Sequence, residues 1–124
     1  MEHTTINENE YHDLYDADLR DATYSVYSSK SRHIRIKLSD KALSLLCEDY
    51  GDNCRCINGE DSYEFVYHMD KVQTEQLIRH LREKYGEKLT IRSVFIKEFG
   101  YDDGTVRFDC LCEIHQLKYH FFSN

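Results

Sequence analysis

Residues 33–39 read H-I-R-I-K-L-S, and no other stretch narrows the possible folds as much. Ile34, Ile36 and Leu38 alternate with Arg35 and Lys37. A period of two sends every apolar side chain to one face of an extended segment, so a half-buried strand is expected. The preceding T-Y-S-V-Y-S, joined to it by S-K-S-R, supplies a second extended run. The two read as a hairpin. The chain contains no proline, so no backbone amide is withheld from a helix or a sheet ladder.

The same procedure assigns the remaining elements. Tyr11, Leu14, Tyr15, Leu19 and Ala22 share one helical face, Asn7 and Glu10 have capping-box spacing, and Ile6 is placed to staple onto Tyr11. A helix near 8–20 follows from that pattern. Ser39 is expected to cap a helix with Leu43, Leu46, Cys47 and Tyr50 on its apolar face and Gly51 at its end. A short strand over Cys54–Ile57 and a turn headed by Asn58-Gly59 come next. Tyr63, Phe65 and Tyr67 alternate with Glu64 and His68, which predicts a strand. Asp70 and Gln73 cap a helix running through Leu77, Ile78, Leu81 and Tyr85 to Gly86.

The last third reads less cleanly. Segment 89–99 fits a helix through Ile91, Phe95 and Phe99 and a strand about equally, with its β-branched and aromatic content favouring the strand. Val106, Phe108, Cys110, Cys112 and Ile114 alternate without a gap, so 105–114 is expected to be a strand. With L-K-Y-H-F-F behind it, this gives a C-terminal antiparallel meander of three strands. The expected fold is therefore α+β: one domain over 1–124, mostly antiparallel sheet, with two to three helices and an acidic N-terminal segment 1–22.

Composition fits that size and class. A chain of 124 residues suffices for one core without disulfides or metal. Apolar residues make up 40% and charged residues 31%, and ten Tyr and six Phe make the burial aromatic. No apolar run reaches the roughly 18 residues of a spanning helix, so no membrane partner is expected. The start M-E-H-T-T-I-N-E has neither a basic region nor an apolar one, which argues against a signal peptide. Five cysteines, an odd number, are then expected as reduced thiols in a cytoplasmic protein.

The thiols pose the sharpest chemical question. Cys110 and Cys112 lie in F-D-C-L-C-E-I-H, and Cys54 and Cys56 in D-N-C-R-C-I-N. Alternate residues of a strand are about 6.6 Å apart. Two thiolates on one zinc must approach to about 3.8 Å. Extended Cys-x-Cys is a poor chelate on that count, and Cys110 and Cys112 read as rungs between Phe108 and Ile114. Cys47 reads as packing. No metal and no cofactor are expected.

His68, His115 and His120 lie on or beside the expected strands. An acid–base pair of His115 with Asp102 or Asp103 has no nucleophile or phosphate cradle to accompany it. The chain has no phosphate-binding loop, dinucleotide fingerprint, H-E-x-x-H or G-x-S-x-G. Arg32, Arg35 and Lys37 are expected together on the outward face of one strand, but acids outnumber bases overall and direct nucleic-acid binding is not expected. The protein reads as a non-enzyme.

Charge is unevenly placed. The net charge is −7, yet residues 1–22 alone hold seven carboxylates against Arg20, while the other 102 residues hold sixteen acids and fifteen bases. Crowded carboxylates steer a cationic partner, and tyrosines among them supply contact area at low entropic cost. In size, charge and the aromatic tail L-K-Y-H-F-F-S-N, the chain resembles small acidic bacterial immunity proteins of contact-dependent or polymorphic toxin systems. The resemblance implies an inhibitor that binds a basic effector, above all a nuclease-type toxin, and occludes its substrate site. The contact surface implied is Glu10, Asp13, Asp16, Asp18 and Asp21, with Tyr11 and Tyr15 as anchors. Three other readings stay open. One is a phage-encoded inhibitor of a nucleic-acid-binding defence complex, acting by nucleic-acid mimicry. Another is a small metal-dependent hydrolase using His115, His120 and the cysteine pairs. The third is a homodimer formed through an exposed meander edge.

Overall fold

The computed structural model of the chain describes residues 17–51 and 62–123. Five strands and three helices are found among them. Strands β1 (Ala22–Ser28), β2 (Arg32–Ser39), β3 (Ala42–Tyr50) and β4 (Ser62–Met69) form an antiparallel meander. Helices α1 (Lys71–Tyr85), α2 (Ile91–Phe99) and α3 (Gly104–His115) follow, and β5 (His120–Ser123) returns to pair antiparallel with β4. The sheet order is β1-β2-β3-β4-β5. The chain is an α+β domain, as expected, but the meander is N-terminal rather than C-terminal.

The β1–β2 hairpin, β4 and α1 form where the sequence places them. The alternation of β2 directs Ile34, Ile36 and Leu38 into the core. Asp70 caps α1 by accepting the Gln73 N–H at 2.9 Å. Leu77, Ile78 and Leu81 are fully buried along its inner face. The expected helix near 8–20, the Cys54–Ile57 strand and the Asn58-Gly59 turn lie outside the described residues, apart from 17–20, of which Ala17 and Asp18 are helical and Leu19 and Arg20 form a turn and a bend.

Three elements correct the sequence reading. Segment 42–50 is strand β3, not a helix. Leu43, Leu45 and Cys47 face the core opposite Leu38, Ile36 and Ile34, while Leu46 turns outward. The deciding feature is the two-residue turn before it: Asp40 and Lys41 both have positive φ (51° and 65°), the conformation that joins two twisted strands tightly. Asp21 steadies that turn by accepting the Asp40 N–H at 3.0 Å.

Segment 91–99 is helix α2, not the favoured strand. Thr90 caps it by accepting the Ser93 N–H at 3.1 Å, and Ile91, Val94, Phe95, Glu98 and Phe99 are buried at helical spacing. Gly100 ends it where a Cβ would run into the Ile96 carbonyl and lie 2.8 Å from the Val26 carbonyl of β1.

Segment 105–114 is helix α3, not a strand. The unbroken alternation is split by the helix: Phe108 and Cys112 point inward, and Val106, Cys110 and Ile114 point out. Gly104 starts the helix because a Cβ there would strike the Phe99 carbonyl. Gln116, at φ 56°, stops it, with the Leu117 N–H donating to the Cys112 carbonyl at 2.8 Å.

The helices cover one face of the sheet, and the core lies between the two layers. Ion pairs and hydrogen bonds brace the packed elements. Arg82 of α1 grips Asp18 through two nitrogens at 2.8 and 2.9 Å and also donates to the Gly86 and Leu89 carbonyls. Glu98 of α2 accepts from Lys84 at 2.9 Å and from the Tyr85 hydroxyl. Arg32 also lies on the helix side of the sheet, not beside Arg35 and Lys37 as expected. It forks onto Asp49 and donates to the Asp102 carbonyl at 2.9 Å.

Candidate functional site

Helix α3 is built backwards for a surface helix. Its inner face is narrow, made of Gly104, Thr105, Phe108 and Cys112. The opposite face, which water should claim, carries Val106, Cys110 and Ile114 at positions i, i+4 and i+8. Val106 is 58% exposed and Ile114 73%. Cys110 is exposed between them. An apolar stripe on the solvent side of a helix is unpaired contact area.

Carboxylates frame that stripe. Asp109 and Glu113 run along one flank and Asp102 and Asp103 lie at the N-terminal end, with Arg107 the single base between 101 and 115. Arg107 is held close to the helix: its Nε donates to Asp103 at 2.9 Å, and its guanidinium lies 4.0 Å from the centre of the exposed Tyr101 ring. Asp109 accepts the Tyr119 hydroxyl. That bond, together with burial, raises the Tyr119 phenol above its usual range. The described residues as a whole contain fifteen acidic and fifteen basic side chains. An excess of three negative charges over 101–115 is therefore a local feature, not a general one.

The sequence-predicted contact residues divide. Glu10, Tyr11, Asp13, Tyr15 and Asp16 lie outside the described residues. Asp18 is spent on the fold, since its side chain is 13% exposed and clamped by Arg82. Asp21 is exposed but caps the β2–β3 turn. The α3 surface was missed because a strand reading of 105–114 puts Val106 and Ile114 in the core. The available signal was Asp103-x-x-x-Arg107, an i, i+4 ion pair that stabilises a helix and has no meaning in a strand.

The cysteines and histidines are dispersed. Cys112 packs in the core, as does Cys47, although on a strand rather than a helix. Burial pushes both thiols up to about 12. Cys110 is not the buried rung expected; a helix turns residues two apart to opposite sides. Cys54 and Cys56 lie outside the described residues. His115 and the pair Asp102 and Asp103 fall at opposite ends of α3, about 18 Å apart for twelve residues. His115 instead stacks on His80 of α1, ring centres 3.7 Å apart.

The open face of the sheet holds two Ser–His contacts across neighbouring strands: Ser25 Oγ with His33 Nε2 and Ser44 Oγ with His68 Nδ1, each 2.9 Å. Neither imidazole is hydrogen-bonded to a carboxylate among the described residues. Also among the described residues, no three His, Cys, Asp or Glu side chains are grouped to hold a metal ion, and no helix is long and apolar enough to cross a membrane.

Comparison with protein-family models, with curated proteins and with solved structures finds no match for the chain.

Proposed function

We propose that the protein is a non-enzymatic inhibitor that binds a basic effector, most simply a nuclease-type toxin, and covers its substrate site. The observation that carries this reading is the solvent face of α3, where Val106, Cys110 and Ile114 stand exposed with Asp102, Asp103, Asp109 and Glu113 around them. Apolar area at the centre with charge at the rim is the anatomy of a protein interface. A nuclease cleft is cationic because it holds phosphates, and carboxylates can occupy it as phosphate stand-ins. The acidic residues of 1–16 have the same sign and add to the steering field.

Self-association through this face is disfavoured. A second copy laid antiparallel along the stripe brings Asp109 and Glu113 against the same carboxylates of its mate, and like charges across an interface cost several kcal/mol.

Parallel affinity captures test the proposal, one with the wild-type protein and one with Glu113→Lys combined with Ile114→Asp. The partner is expected to be basic, to be lost from the variant, and, once purified, to have its nucleic-acid cleavage inhibited by the wild type alone. Equal inhibition by both proteins would remove α3 from the interface and end this reading.

A further inference from the structure

Strand β5 is the outermost strand of the sheet, and all four of its residues are exposed. Its ladder to β4 satisfies one side of its backbone. Among the described residues, no hydrogen bond reaches the other side. The opposite edge of the sheet is protected. There β1 carries a bulge between Ser25 and Tyr27, Val26 turns into the core, and α2 packs alongside. A bulge and a covering helix are ordinary devices for blunting an edge. Among the described residues neither device guards 120–123, and these four contain no lysine or proline. They display Phe121, 51% exposed, on the helix side and Phe122, 57% exposed, on the open side. A hollow of about 260 Å³ lined by Glu64, Val66, Phe122 and Ser123 adjoins them.

A strand edge left open among the described residues is suited to completion by another strand. We propose that β5 pairs antiparallel with β5 of a second copy, Phe121 opposite its symmetry mate, joining two five-stranded sheets into one. The register follows from geometry. Directly opposed residues of an antiparallel pair share a face, so a twofold axis must pass through a residue rather than between Phe121 and Phe122. Centring on Phe121 sets His120 opposite Phe122 and Tyr119 opposite Ser123, with every pairing made by described residues. The two Phe121 rings then extend an existing aromatic cluster, in which Phe121 lies 5.2 Å from Tyr67 and 5.9 Å from Phe65.

Charge favours the same occupant. Residues 119–123 contain no Lys, Arg, Asp or Glu, and His120 faces a phenyl ring, so no like charges oppose each other. The α3 stripe fails this same criterion. Four residues of strand span about 14 Å, less than a standard interface needs, so the dimer is weak and depends on concentration.

Sedimentation equilibrium of the full chain from micromolar to millimolar concentration reads this directly. The weight-average mass is expected to rise from 14.8 kDa toward twice that value. Phe121→Lys sets two ammonium groups face to face on the axis and is expected to weaken association about tenfold or more. Thr23→Lys, on the β1 edge, is expected to leave it unchanged, with circular dichroism confirming that both variants fold. A mass fixed at 14.8 kDa throughout overturns the proposal. So does a dimer that survives Phe121→Lys; its loss on Ile114→Asp would then place the contact on α3. If the chain stays monomeric and the amides of 120–123 become protected from exchange only when the basic partner is added, the edge belongs to that partner instead.

Discussion

At the scale of single residues, the thiols report the fold most directly. Cys110 faces water while Cys47 and Cys112 are sealed in the core. Iodoacetamide followed by peptide mapping is therefore expected to label Cys110 quickly in the native protein and the other two only on unfolding. The buried pair also makes stability depend on pH. Each thiol keeps its proton up to about pH 12 in the native state, against an ordinary value of 9.0. Between those limits the unfolded chain binds fewer protons than the native one, so stability is whole below about pH 9 and falls as pH rises. The loss is up to about 1.4 kcal/mol per pH unit per thiol. Urea denaturation from pH 8 to 10.5 is expected to show this decline, and Cys47→Val is expected to shrink it. Asp18 is the residue whose role sequence could not reveal. Its carboxylate belongs by composition to the acidic segment, but Arg82, its partner, lies sixty-four positions away.

At the scale of elements, success followed where the periodicity had one interpretation. In β2 the apolar alternation has charged residues between every rung, and in α1 a capping pair precedes a long run of helical spacing. Both were legible. In β3 the leucines satisfy both periods, and the two left-handed turn residues that decide the matter are Asp40 and Lys41, with no glycine to announce them. In α3 the alternation of apolar residues is genuine but misleading, since three of the five were left outside. The candidate site was illegible for the same reason, because it consists of the apolar residues that the fold does not bury. Two substitutions separate the readings. Phe108→Ala is expected to cost about 3–5 kcal/mol, whereas Ile114→Ala is expected to stay within about 0.5 kcal/mol. A strand with both side chains facing inward would give two comparable losses in a denaturant titration.

At the scale of the whole molecule, charge is unevenly placed along the chain. The described residues are neutral in sum, and the net −7 belongs to residues 1–16 and 52–61. Asp13→Asn with Asp16→Asn tests the steering role of that charge. It should slow association with a cationic partner and flatten the salt dependence of that rate in stopped-flow measurements. Including Asp18 in the set would confound the experiment. Breaking its buried pair with Arg82 is expected to cost about 3 kcal/mol on its own. The order of elements has a further consequence. Strand β4 ends at Met69, but its outer neighbour begins only at His120, after three helices have intervened. While the ribosome is still delivering those helices, the ladder beside Phe65 and Tyr67 stands unzipped. A pause in translation within that window would leave nascent chains sticky toward one another, and a holdase that recognises aromatic strands would find its client there.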